Sequence, residues 1–138
     1  MIVIIDTNII ISALIKNSIT RKILIHSNLR FKYPEVSLQE LYKYKSYIME
    51  KAGYNEEQLE AVINKLLEHI DLMHLDLITP WLNASKEIME KIDINDAVFI
   101  AASLALDKAV IWSDDADFER QDIINIIKTK DLISMFKK

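Results

Sequence analysis

The sequence predicts an α/β fold in three layers, with helices on both faces of a parallel sheet, folded as one domain over residues 1–138. Three observations carry this expectation. Ile2-Val3-Ile4-Ile5 is an uninterrupted apolar run, the mark of a strand buried on both faces. Further strand-like runs alternate with helical segments, and that alternation calls for parallel crossovers. The chain also holds one glycine, where average usage gives about ten, and no Asn-Gly or Asp-Gly pair, which argues against a fold built from many hairpins. No Ser/Gly/Pro-rich linker, repeat or low-complexity tract divides the chain.

In order, residues 2–5 form the first strand, and Thr20 caps a helix that runs to about Asn28 with Ile23 and Leu24 inside. Phe31 to Val36 is a second strand, weakened by Pro34. Ser37-Leu38-Gln39-Glu40 fits a capping box, and the helix it opens runs towards Ala52. Gly53 ends that helix, and Asn55 caps the next, about Glu56 to Leu72, where Leu59, Val62, Ile63, Leu66, Leu67 and Ile70 recur at helical spacing. Asp76 to Ile78 reads as a short strand. Thr79-Pro80 places a cap and then a proline at the first helical position, opening a helix to about Lys91 that Asp93, Ile94 and Asn95 break. Asp96 to Leu106 is a buried helix with almost no polar face. Ala109 to Trp112 is a strand, Ile124 to Ile127 another, and Lys130 to Phe136 the last helix.

Composition excludes several chemistries. A single glycine rules out both Gly-rich phosphate loops, each of which needs at least two, and Gly53 has no calcium-loop context. Without cysteine there is no disulfide, zinc–thiolate site, Fe–S cluster or thiol nucleophile. No apolar stretch approaches the roughly 18 residues of a membrane span, and the N-terminus carries no basic leader, so a cytoplasmic protein without a membrane partner is expected. The net charge of −4 is unevenly spread: Asp93 to Asp122 sums to −6, whereas Lys16 to Lys51 sums to +5. Such a chain can hold cations with one part and a polyanion with another, or can simply present two solvated faces. In the basic segment Lys16, Arg21 and Lys43 are the candidate contacts for such a polyanion.

The acidic residues gain meaning from the fold. Sites in open parallel sheets lie outside the carboxyl ends of the strands. Asp6 directly follows the first strand, and Asp114 and Asp115 directly follow the Ala109–Trp112 strand. Asp96 opens the buried helix, and Glu40 lies in the first turn of the helix after the second strand. Asp6, Glu40, Asp96 and the Asp114–Asp117 group thus converge on one crevice from four places. Clustered carboxylates repel one another, and divalent cations offset that cost. Oxygen donors suit Mg²⁺ or Mn²⁺, and such ions drive phosphodiester hydrolysis. Each residue also has a plainer reading: Asp6 as an Asx turn, Glu40 as the N3 member of the capping box, Asp93 and Asp96 as charges favourable to a helix dipole, and Asp114, Asp115 and Asp117 as turn residues. Asn8 and Ser113 either orient carboxylates or form turns.

Other groups are weaker. His26, His69 and His74 are scattered, and His69 and His74 miss the i,i+4 metalloprotease spacing. No serine has a G-x-S-x-G context. Tyr42, Tyr44 and Tyr47, interleaved with Lys43 and Lys45 and followed by Lys51, suit either base stacking and phosphate contact or ordinary packing and solvation.

Three pieces of the chain, in order and spanning nearly all of it, resemble the PIN-domain nucleases: Ile2-Val3-Ile4-Ile5-Asp6-Thr7-Asn8, then Asp96-Ala97-Val98-Phe99-Ile100-Ala101-Ala102-Ser103-Leu104-Ala105, then Ile111-Trp112-Ser113-Asp114-Asp115-Ala116-Asp117-Phe118. The resemblance implies a PIN-like sheet of four or five parallel strands and metal-dependent endonuclease cleavage of single-stranded RNA with one or two Mg²⁺ or Mn²⁺ ions. It makes Asp6, Glu40 and Asp96 three acidic ligands and puts the fourth in the Ser113–Asp117 turn. There Asp115 is preferred, Asp114 is next, and Asp117 is a supporting carboxylate. Thr7, Asn8 and Ser113 match positions that support the site. Many such proteins are VapC-like toxins with an antitoxin partner, and homodimers are common among them. Two other readings stand beside the ribonuclease: a PIN-like scaffold or antitoxin-binding subunit with little catalysis, and a receiver-like module phosphorylated on Asp.

Overall fold

A computed structural model of the chain describes residues 1–15, 18–90, 92 and 96–136. Lys16 and the helix-breaking trio Asp93, Ile94 and Asn95 lie outside these residues.

Five strands form one sheet in the order β3-β2-β1-β4-β5, every neighbouring pair parallel. They are β1 (Ile2–Ile5), β2 (Arg30–Pro34), β3 (Ile70–Met73), β4 (Val110–Trp112) and β5 (Ile126–Ile127). The helices are α1 (Thr7–Ile15), α2 (Ile19–His26), α3 (Leu38–Lys43), α4 (Lys45–Ala52), α5 (Glu56–Leu67), α6 (Leu75–Ile78), α7 (Leu82–Met89), α8 (Ala97–Ala105) and α9 (Thr129–Phe136). They cover the sheet as the outer layers of an α/β/α fold. This strand order is not the 2-1-3-4-5 of receiver-like modules, so the topology removes that reading.

The apolar run of β1 is central for the expected reason: Val3, Ile4 and Ile5 are fully buried, with β2 on one side and β4 on the other. Helix α8 lies against β1, β2 and β4 and buries Ala97 and Phe99 through Ser103, as its lack of a polar face requires. Its Phe99 ring meets Tyr33 of β2 at 6.1 Å and Phe118 at 6.2 Å between centroids, within the range of favourable aromatic pairs. Gly53 closes α4 in the left-handed conformation at φ 74°. Asn55 and Gln58 form a reciprocal capping box on α5.

Several expectations are corrected. The Glu56–Leu72 helix stops at Leu67, and Ile70–Met73 is instead the edge strand β3, paired through Lys32↔Asp71 with an ion pair of 3.1 Å. The expected strand at Asp76–Ile78 is the short helix α6. Thr79 hydroxyl donates back to the Leu75 carbonyl, finishing α6 rather than capping the next helix, and Pro80 sits in a 3-10 turn before α7. Ser18, not Thr20, caps α2. The Leu38–Ala52 helix bends at Tyr44 into α3 and α4. The Ser37 capping box does not form: a 3-10 turn over Glu35–Ser37 runs straight into α3, so Ser37 is already helical. Strand β5 is shorter than expected because the Gln121 side chain, bonding both N–H and C=O of Ile124, takes the place of a strand partner there.

Candidate metal centre

Because β1 and β4 are parallel with Ile5 opposite Trp112, the next residues, Asp6 and Ser113, emerge side by side at the same sheet edge. Asp6 is 4% exposed. The Ser113 hydroxyl donates to Asp6 Oδ2 at 2.8 Å, and the backbone N–H of Asn8 also donates to this carboxylate. Burial pushes the Asp6 carboxyl up to about 6 against those two hydrogen bonds, and the charges of Asp115 and Glu40 push it the same way. Asp6 therefore stands in a field shared with both.

Ser113, fully buried, does a second job: its Oγ accepts the Asp115 N–H at 3.0 Å, tying the Asp115 loop to Asp6. Asp115 caps the 3-10 turn Ala116–Arg120, its Oδ1 accepting the Asp117 N–H at 2.9 Å. Asp96 occupies the N-cap position of α8 without a side-chain cap bond. One carboxylate oxygen each from Asp96, Asp115 and Asp117 lies within 4.8 Å of the others. The aromatic chain beneath explains why: Phe99 is one helical turn beyond Asp96, Phe118 directly follows Asp117, and the two rings pack edge to face.

Glu40 is half-buried in the first turn of α3, and its charge is felt by both Asp6 and Tyr33. Tyr33 is a residue the sequence reading missed. It is wholly buried, its hydroxyl donates to the Ser37 carbonyl at 2.9 Å, and it lies 2.6 Å from Thr7 Oγ1. With its one proton given to Ser37, the phenol accepts from Thr7. The chain Thr7–Tyr33–Ser37 thereby links the residue after Asp6 to the turn before Glu40. Burial drives the phenol well above its ordinary range.

Other expected residues go elsewhere. Asp114 accepts from the Thr129 N–H at 2.8 Å and the Thr129 hydroxyl at 2.7 Å. Its carboxylate pins the start of α9, while Asp117 rather than Asp114 stands with Asp96 and Asp115. Arg21 is not turned to solvent: its guanidinium donates to the carbonyls of Ala13 and Leu14, at 2.6 and 3.0 Å, and to the Tyr54 hydroxyl. It closes the carboxyl end of α1, which corrects its reading as a phosphate contact. Lys43 is exposed on α3. Asn8 lines, with Ile9, Ser12, Asp114 and Asp115, an open depression of about 260 Å³ at the lip of the site.

A chain with this fold has counterparts. A family model described as "PIN domain" matches residues 4–131. Among solved structures, VapBC2 from Rickettsia felis, crystallised bound to a DNA fragment from its promoter, is similar with a TM-score of 0.71. The likeness covers 93% of this chain and 98% of that one at 19% identity, a likeness of fold. No curated protein matches. With the family model spanning β1 through the start of α9 and so the whole carboxylate cluster, the chain belongs to the PIN domain family.

Proposed function

We propose that this protein is a metal-dependent endoribonuclease that hydrolyses single-stranded RNA. The observation that carries the reading is the convergence of Asp96, Asp115 and Asp117 within 4.8 Å beside buried Asp6. The donor set fits a hard divalent cation: it offers carboxylate oxygens, and a cation relieves the repulsion that Asp115 and Glu40 exert on Asp6. Asp6, Asp96, Asp115 and Asp117 would hold Mg²⁺ or Mn²⁺, as one or two ions. When bound, the metal supplies Lewis acidity that eases deprotonation of water and balances charge developing on the phosphate.

The chain's own residues do the rest. Ser113 and the Asn8 N–H hold the Asp6 carboxylate in one orientation. Ser113 also fixes the Asp115 loop. Glu40, in the helix that follows the Thr7–Tyr33–Ser37 chain, orients the attacking water and receives its proton at the carboxylate. Asn8 and Ser12 offer polar contacts at the mouth. Membership of the PIN family, the resemblance to VapC-like ribonucleases and the likeness in fold to VapBC2 support a place in a toxin–antitoxin pair with an antitoxin partner; a homodimer is proposed on the resemblance alone. No helix among the described residues is long and apolar enough to cross a membrane.

The test is cleavage of a labelled single-stranded RNA with Mn²⁺ or Mg²⁺, with and without chelator. Cleavage should vanish in chelator and in Asp6→Asn and Asp96→Asn. No cleavage with either metal favours the scaffold reading, and undiminished cleavage in both variants rejects the site.

A further inference from the structure

Three tyrosines within six residues, the first of them two residues after Glu40, stand half out of the protein: Tyr42, Tyr44 and Tyr47 are 42%, 45% and 48% exposed. Apolar residues of the same segment face the other way, with Leu41 and Ile48 each 1% exposed and α4 packed on α1. Burial is thus satisfied by Leu41 and Ile48, and core packing does not account for the tyrosines. Tyr44, Tyr47 and Lys51 recur at i, i+3 and i+7 from the N-cap of α4, one stripe along that helix. Glu40 lies four residues before the stripe, in the preceding helix α3.

The charge of this stripe is opposite to that of the site. Residues 41–54 carry Lys43, Lys45 and Lys51 against Glu50. Lys45 is paired with Glu56 at 3.0 Å, which braces α4 against the start of α5. Lys43 and Lys51 are exposed, and the Lys51 ammonium stands 5.9 Å from the centre of the Tyr47 ring. Tyr44 and Tyr47 are separated along the axis by about 4.5 Å, a little more than the roughly 3.4 Å between bases along a strand. Flat aromatic faces interleaved with cations at that interval suit unpaired bases and their phosphates, whereas a duplex hides its base faces.

We propose that the Tyr44–Tyr47 stripe is a stacking platform for two successive bases of single-stranded RNA. Lys43 and Lys51 bind the flanking phosphates, and the strand is led over Glu40 to the carboxylates. This rests on the ribonuclease reading for its purpose, but its test does not require cleavage. The probe is a fluorescently labelled single-stranded oligoribonucleotide of mixed sequence, its binding to the full chain followed by anisotropy in chelator. Tyr44→Ala and Tyr47→Ala should each weaken binding about 5- to 100-fold. Tyr44→Phe and Tyr47→Phe should stay within about threefold of the parent, because stacking needs the ring and not the hydroxyl. Lys43→Ala and Lys51→Ala should each flatten the salt dependence of log affinity by about 0.7. Circular dichroism establishes that the variants fold. A parent that binds single strands in chelator but does not cut them when Mn²⁺ or Mg²⁺ is supplied sinks the nuclease reading and sustains this one. A parent that does not bind, or alanine variants of unchanged affinity, overturn it. So do alanine variants that keep RNA affinity but lose self-association in sedimentation, since the patch would then be a protein surface.

Discussion

Asp6→Asn should make the metal-free protein more stable at neutral pH, although it removes a residue placed at the centre of the site. Asp6 is 4% exposed, and its carboxyl is raised from 3.8 to about 6, first by burial. At pH 7 the folded protein therefore holds an ionised carboxylate that costs about 3 kcal/mol relative to the unfolded chain. The sign comes from proton binding. Between pH 3.8 and about 6 the folded form keeps a proton that the unfolded chain has released, so stability falls as pH rises through that window and stays low above it. Asparagine keeps the shape and can still accept from Ser113, but it forfeits the stronger bonds a carboxylate makes to Ser113 and Asn8, so the net gain is about 1–3 kcal/mol. The assay is thermal unfolding of parent and variant in chelator at pH 7.5 and pH 4. At this chain length each kcal/mol moves Tm by about 4 °C. The variant should melt higher at pH 7.5, and most of the gap should close at pH 4. A variant less stable at pH 7.5, or a gap equal at both pH values, would refute the claim that Asp6 is held ionised at a cost.

The same geometry sets three further outcomes. Asp114→Ala should leave Mn²⁺ affinity, read by calorimetry, within about threefold while lowering stability by about 1 kcal/mol through the lost α9 cap; Asp117→Ala should weaken Mn²⁺ binding at least about tenfold, in line with losses from disturbed metal sites. Tyr33→Phe keeps the ring on Phe99 but removes the acceptor of the buried Thr7 hydroxyl and one of the bonds to the Ser37 carbonyl, so chemical denaturation should show a loss of about 1–3 kcal/mol, and an unchanged midpoint would dissolve the Thr7–Tyr33–Ser37 chain. Asp107 and Lys108 turn the chain from α8 into β4 at φ 56° and 60°, a region that favours glycine. Lys108→Gly should then raise stability by about 0.5–1 kcal/mol, the left-handed penalty less the entropy glycine adds to the unfolded chain.

Those two positive-φ residues also bear on how much of the fold the sequence discloses. A chain with one glycine still has to turn, and here it does so on Asp107 and Lys108, so helix ends lose their usual punctuation. Where Gly53 and Asn55 supply it, the boundary between α4 and α5 was readable to the residue. Where nothing supplies it, the reading failed. Ile70 continues the apolar spacing of Leu59, Ile63 and Leu66, and only pairing with β2, some 39 residues earlier, makes it a strand. The α6 segment failed for the reverse reason: Leu75–Ile78 has strand-like composition but no strand beside it among the described residues, and Thr79 closes it as a helical turn. The long buried runs of β1 and α8 were legible because burial on every side leaves one kind of residue acceptable.

The same division explains the site. The placement of Asp6 and Asp96 was readable because each is the first polar residue at the end of a buried element, so chain direction alone sends them to the strand ends. The Ser113–Asp117 turn was not resolvable from within, because its three aspartates are alike in type and nearly alike in position. What separates them is distant: Thr129 claims Asp114, and Phe118, seated on Phe99, holds Asp117 at Asp96. Tyr33 was invisible for a related reason, since a tyrosine in a strand is ordinary and its hydroxyl matters only when Thr7 and Ser37 are brought to it. Carboxylates announce a site by where chain direction puts them, whereas the groups that aim them are chosen by tertiary contact. A substitution at Ser113, Tyr33 or Phe99 can therefore disturb the centre as much as one at a carboxylate, and a search of the sequence for acids alone would pass over all three.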